Sequence, residues 1–247
     1  MPQAESRLRC HSKGRVPIAR SRYPNHAELF DLLWRGDDRA SARTGLSVSR
    51  IVEEAVRLAD QLGMNAVTMR QLAERLGVAA MSLYRYVPGR EELVALMVER
   101  VYGELATQSS EAADWKESLR SIAHEYWELY ERHPWLLEVP ITRPVVGPNR
   151  MDRQEHELGA VDGVGLDELE MDAAVELVVN QVASAAKRLH GIRRDAEASG
   201  MSDDEWWHDV LPVLNRVLAG RYYPVSERVG EAIGAAHLDT GFLFEFG

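Results

Sequence analysis

The chain has 247 residues, 45% of them apolar, with a formal net charge of −10 and a single cysteine. That length and composition fit one large domain or two smaller ones around a sizeable core. They exclude an internal disulfide, because Cys10 has no partner, and a membrane span, because no apolar run approaches the ~20 residues a bilayer requires.

The N-terminal stretch MPQAESRLRCHSKGRVPIARSR is basic but lacks an apolar h-region, so it does not read as a secretory signal. With the lone cysteine this points to a soluble, cytoplasmic protein. Residues 1–24 carry Arg7, Arg9, Lys13, Arg15, Arg20 and Arg22 against Glu5 alone. Two readings fit: a solvated, disordered tail, or an arm that touches phosphates. Residues 25–34, NHAELFDLLW, fit a short helix with Asn25 as cap and Leu29, Leu32 and Leu33 on one side. RGDDRASARTG then reads as a linker, so residues 1–45 form a basic, mostly disordered extension.

From Ser47 the periodicity is strongly helical. Ile51, Ala55, Leu58 and Leu62 share one face, and Gly63 supplies a stop. Thr68 precedes Gln71 by three residues, the spacing of a capping box, and opens a second helix with Leu72, Ala73 and Leu76 inward. Gly77 ends it. Residues 80–86 form the next candidate helix, closed by Pro88 and Gly89. Glu91–Ala106 is longer, with Leu93, Met97, Val101 and Leu105 spaced by four, and its early acids Glu91 and Glu92 suit the positive helix end.

Beyond it, Trp115–Arg132 carries Leu119, Ile122, Tyr126 and Leu129 and stops before Pro134. PITRPVVGP, residues 140–148, holds three prolines and is a loop. Asn149–Val161 is a weaker helix, and Asp167–Glu197 a long one rich in alanine and valine. Ser202 and Glu205 form another capping box ahead of WWHDVL, which Pro212 kinks or ends. No segment alternates like a strand, so the fold class is all-α.

Charge divides along the chain. Residues 1–100 hold 16 Lys and Arg against 12 Asp and Glu, whereas residues 101–247 hold 13 against 27. A basic contact module joined to an acidic body fits that asymmetry.

The stretch TMRQLAERLGVAAMSLYRYV, residues 68–87, meets the demands of a helix-turn-helix. Ala73 is small where two helices approach, Gly77 suits a turn, and Val78 and Leu83 pin the second helix. Ala80, Met81, Ser82, Tyr84 and Arg85 are left facing outward or sideways, as suits a rod entering a major groove. Spacing alone leaves open a buried helix pair with a solvated arginine.

The run from Leu46 to Met97 resembles the N-terminal domain of TetR-family transcriptional repressors. It carries their T-x-R entry, L-A-x-x-L-G-V and S-L-Y-x-Y-V. HPWLL at 133–137 and the terminal FLFEFG resemble the tetracycline-repressor-like C-terminal branch. The resemblance implies a three-helix DNA-binding domain over 46–92 and a ligand-binding and dimerisation domain over 93–247. It implies that Thr68 and Arg70 meet DNA at the start of the second helix. Ala80, Met81, Ser82, Arg85 and Tyr86 fall on the reading helix, Tyr84 on a phosphate, and Arg90 where the family most often has Lys holding a phosphate. Ala79 stands where Ser is common, so the reading helix lacks a side-chain cap.

The family further implies a homodimer on a double-stranded, palindromic DNA operator, with a small-molecule effector that shifts the helix after the reading head. Candidate effector contacts are His124, Tyr126, Trp127, Tyr130, Trp135, Met171, Asn180, Gln181, Trp206 and Trp207. As a group they suit a hydrophobic or aromatic ligand; individually each also reads as core. Ala173, Ala174, Ala183, Ala185 and Ala186 permit close helix packing in the long helix, which with the final helix builds the family's dimer bundle. The chain stops at FLFEFG where relatives usually continue, so part of that surface is expected to be missing.

Two rivals remain from the sequence. An all-helical enzyme has little to build on: Glu205 and His208 make one E-x-x-H where a di-iron bundle needs two. No metal, cofactor or catalytic motif accompanies it. A DNA-binding regulator without a small-molecule ligand is the second.

Overall fold

Helix starts are encoded as side-chain caps. Ser47 Oγ accepts from Arg50 N at 3.1 Å, Thr68 Oγ1 from Gln71 N at 3.2 Å, and Asp114 Oδ1 from Lys116 N at 2.9 Å. Asp167 with Glu170, and Ser202 with Glu205, close reciprocal capping boxes. A computed structural model describes residues 26–34, 45–105, 114–140 and 145–236, which form ten α-helices and, among the described residues, no strand. They are α1 (His26–Leu33), α2 (Val48–Leu62), α3 (Met69–Leu76), α4 (Ala80–Leu83) and α5 (Arg90–Tyr102). The body follows with α6 (Trp115–Arg132), α7 (Pro148–Gly159), α8 (Glu168–Ser199), α9 (Asp203–Leu218) and α10 (Pro224–Ala236). The basic residues of 1–24 and the terminal FLFEFG lie outside the described residues.

Most expected helices coincide with observed ones; three differ, among them the one expected over Glu91–Ala106, which ends at Tyr102, and one helix was not expected. The reading helix is a single turn, Ala80–Leu83, rather than 80–86; the chain leaves it through turns closed by Tyr86 N and Val87 N on the Leu83 carbonyl. Pro212 does not end α9, which continues to Leu218. Proline removes one donor there, and the His208 turn it faces is open to solvent, which satisfies the freed carbonyl. Helix α10 had no separate signal ahead of Pro224.

One hydrophobic cluster runs through head and body. Ile51, Ala55 and Leu58 of α2, Leu72 of α3 and Leu83 of α4 join Leu93, Met97 and Val101 of α5. That core continues into Ile122, Tyr126 and Leu129 of α6. Helix α5 is buried on several sides and is unbroken across the expected boundary at 92/93. Helix α1, part of the expected extension, packs on the same core through Leu32 and Leu33, and Trp34 Nε1 donates to the Val146 carbonyl at 2.9 Å.

Helix α8 lies along α6. Val182, Ala185 and Ala186 are buried there, so these small residues serve packing inside the chain. Arg193 to Glu131 and Arg194 to Glu138, both 2.9 Å, fasten its second half to α6 and to the 3-10 turn Pro134–Glu138. No residue of helix α9 is fully buried, though Val210, Leu214 and Leu218 are half-buried.

Candidate nucleic-acid interface

The turn between α3 and α4 is set by glycine. Gly77 adopts φ +67°, a left-handed conformation in which Gly77 N donates to the Glu74 carbonyl and Val78 N to the Ala73 carbonyl. This is the Schellman arrangement, and it satisfies carbonyls that the helix end leaves free. Leu83 is fully buried and pins α4 to the head, while Tyr86 is half-buried against the same core. With that side fixed, the opposite side projects. Met81 is 76% exposed and Tyr84 44% exposed, and Arg85 is exposed as well. Ala80 and Ser82 flank them, half-buried. Ala79 supplies no side-chain cap, as its methyl dictates.

Cations near the head fall into two sets. Arg57 pairs with Glu54 at 3.1 Å, and Arg75 engages both Glu54 and Gln61, each at 3.1 Å. Arg70, exposed in the first turn of α3, and Arg85 carry no such partner among the described residues. Arg90 does something the sequence did not reveal. Its guanidinium donates to the Val67 carbonyl at 2.7 Å and to the Met64 carbonyl at 3.2 Å. It ties the first turn of α5 to the residues just ahead of Thr68. Partners 23 and 26 residues away leave no local signature.

The expected effector contacts are distributed over several places. Tyr126 and Tyr130 are buried at the body's centre, with ring centroids 6.0 Å apart, and Tyr102 stands edge-on to Tyr126 at 6.1 Å. Burial pushes all three phenols above their ordinary range, so they remain protonated donors. Trp127 packs half-buried against the core, Met171 is half-buried on α8, and His124, Asn180 and Gln181 are exposed. Trp206 and Trp207 form an exposed edge-to-face pair on α9, centroids 4.9 Å apart. Trp135 is buried, and its Nε1 donates to Asp60 Oδ1 of the head at 2.8 Å.

Sequence reasoning missed a charged network beside the tyrosines. Arg153 and Glu157, both fully buried, pair at 2.8 Å; Tyr126 Oη donates to Glu157 at 2.6 Å and Arg150 reaches it at 3.1 Å. Arg153 also pairs with Glu125 and stacks over the Tyr126 ring. The i,i+4 spacing of Arg153 and Glu157 is the only trace of this in the sequence, and it equally describes a solvated pair. Among the described residues, no group of three His, Cys, Asp or Glu is placed to hold a metal ion, and no helix is long and apolar enough to cross a membrane.

A projecting helix-turn-helix joined through one shared helix to a helical body defines a DNA-binding regulator. Residues 51–97 match the profile of bacterial regulatory proteins of the tetR family, and residues 108–247 that of the tetracyclin repressor-like C-terminal domain. The chain is 37% identical over 212 residues to the HTH-type transcriptional repressor DrrR1 of Streptomyces coeruleorubidus, across 83% of this chain and 77% of that one. It is 28% identical over 169 residues to an HTH-type transcriptional regulator of Saccharopolyspora erythraea, covering 68% and 72% of the two chains. Among solved structures, the Streptomyces coelicolor TetR family protein ActR in complex with (S)-DNPA aligns with TM-score 0.54 and 28% identity, over 59% of this chain and 77% of that one. ActR in complex with actinorhodin aligns with TM-score 0.65 and 23% identity, over 82% and 92%, a likeness of fold. The chain belongs to the TetR family of transcriptional regulators, which are DNA-binding proteins and not enzymes.

Proposed function

We propose that this protein is a repressor that binds a palindromic operator as a two-fold dimer and is released by an apolar, aromatic small molecule. The observation that carries the DNA reading is the projection of Met81, Tyr84 and Arg85 from a helix whose other side is locked by Leu83. Arg85 and Arg70 have the reach and the free donors for guanine O6 and N7. Tyr84 and the N-terminus of α3 at Thr68 suit phosphates. Ala80 and Ser82 let the rod lie close to base edges, and Tyr86 braces it. Arg90, engaged with two carbonyls, acts first as a brace for the start of α3; its remaining donors face a phosphate.

Dimerisation is supported by α9 and α10. Trp206, Trp207, Leu211 and Val217 on α9, and Val225 and Ile233 on α10, are all 44% exposed or more. Apolar surface of that extent on two successive helices calls for a partner, and a second copy covers it by symmetry. For the effector, the buried tyrosines with Trp127 offer aromatic faces, while the Tyr126 hydroxyl is already engaged with Glu157. The DrrR1 relative is named a repressor, and ActR was solved with (S)-DNPA bound.

Selection of bound sequences from random DNA tests the first half. A symmetric motif with half-sites about one helical turn (~10 bp) apart or a multiple of it supports a dimeric reader; an asymmetric or absent motif counts against it. Adding an aromatic ligand such as actinorhodin to the bound duplex tests the second half. Release together with a raised melting temperature supports an effector pocket. A regulator without a small-molecule ligand keeps its DNA throughout.

A further inference from the structure

Asp60 places a carboxylate where a helix disfavours one. It lies in the last turn of α2, at the negative end of the helix dipole, and no basic residue of that turn offsets it. Its partners come from the body. Oδ1 accepts a hydrogen bond from Trp135 Nε1 at 2.8 Å and faces His133 Nδ1 at 2.7 Å. Both rings are buried, and they meet edge-on with centroids 6.1 Å apart. The other side of His133 is held too: Nε2 lies 3.1 Å from Glu104 Oε2, just beyond α5. Glu104 also takes Arg132 at 2.8 Å and Arg100 at 3.6 Å. One point therefore fastens the end of α2, the end of α5 and the exit from α6.

Helix α2 is the scaffold on which α3 packs, and α3 carries α4 through the Gly77 turn. Movement of α2 relative to the body moves the reading helix. We propose that the Asp60–Trp135–His133 contact is the latch that sets the reading head's orientation on the body, and hence the separation of the two heads in the dimer. Asp60 is a positioning residue for operator recognition and touches no DNA. The inference rests on the dimeric reading above.

Two linked heads bind a full site as a bivalent pair. The second head's effective concentration depends on geometry being held, while each head's own grip on a half-site does not. Loosening the latch therefore lowers full-site affinity and spares half-site affinity. A residue needed only for folding lowers the melting temperature and leaves the ratio of the two affinities where it was.

The test uses the full chain as wild type, Asp60→Ala and Trp135→Phe. The probes are the duplex selected by the wild type from random DNA and the same duplex with one half scrambled. In Asp60→Ala the full-site to half-site affinity ratio falls by about tenfold or more, and in Trp135→Phe by a smaller factor, with half-site affinity unchanged. If Asp60→Ala does not fold, Trp135→Phe decides by the same ratio. An unchanged ratio in folded variants, or equal losses on both duplexes, overturns the latch. A wild type with no preference for the full site overturns the dimeric reading itself, a result seen without any variant.

Discussion

The carboxylate of Glu99 on α5 caps a helix to which it does not belong: its Oε1 lies 2.6 Å from the backbone N–H of Asn149 in the first turn of α7, and Oε2 lies 3.3 Å from that of Arg150. The N-cap residue of α7 is Gly147, which has no side chain to offer. An anion at a helix N-terminus is favourable, but this one is 6% exposed. Burial raises its pKa above the ordinary 4.5 despite the two backbone donors. The helix that links head and body is thus bonded to the helix that holds the buried Arg153–Glu157 pair.

A sign follows for pH. Because the folded pKa of Glu99 lies above 4.5, the stability this group contributes is fully present below that value and is lost as pH rises through the folded pKa. Glu99→Gln removes the titration and keeps an acceptor. Thermal melts across a pH series should show the variant gaining on the wild type as pH rises from below 4.5 towards neutrality. Parallel curves for the two proteins would remove Glu99 from the account.

Gly147→Ala probes the same contact from the other side. A Cβ at 147 falls 2.3 Å from the Glu99 carboxyl carbon and 2.4 Å from Oε2, and the carboxylate cannot retreat without leaving Asn149 and Arg150. Overpacking of this kind costs roughly 1–3 kcal/mol. Chemical denaturation measures it; a cost near zero would show that the carboxylate moves freely.

Leu83→Ala tests the anchor of the reading helix. Four residues cannot hold a helix unaided, and Leu83 is fully buried beneath them. The substitution should cost roughly 2–5 kcal/mol in stability and weaken DNA binding, read by denaturation and by duplex titration. Tight operator binding by a destabilised variant would show that DNA alone orders α4.

In the body, Glu157→Gln takes one of two carboxylates from the buried Arg153 and leaves Glu125 as its anionic partner, a change that costs at most the roughly 3–5 kcal/mol of a buried charge left unpaired. Tyr126→Phe removes one donor from the same carboxylate and should cost less, about 1–3 kcal/mol. Equilibrium denaturation of the two variants ranks them; the reverse order would mean that the phenol, not the ion pair, holds the network.

Much of this was legible in the sequence where the cause is local. Trp115–Arg132 was readable to the residue because its apolar spacing and the proline after it act within one turn. Ser202 with Glu205, and Gly77, were readable because caps and turns are short-range chemistry. The projecting faces of Met81, Tyr84 and Arg85 followed from burying Leu83. What was not legible depends on distant partners. Arg90 clamps carbonyls of the segment before α3, Trp135 reaches Asp60 across 75 residues, and Glu99 caps a helix 50 residues on. Composition also misdirects: Trp135 and Trp207 are one residue type, yet one is buried on the head–body seam and the other is exposed on α9.

The central claim is that the short rod bearing Arg85 reads bases. Binding of wild type and Arg85→Ala to the selected operator and to a random duplex tests it most directly. The expected result is a loss of roughly 1–3 kcal/mol on the operator, little change on random DNA, and relaxed preference at one base position. Equal losses on both duplexes, or none on either, would contradict it.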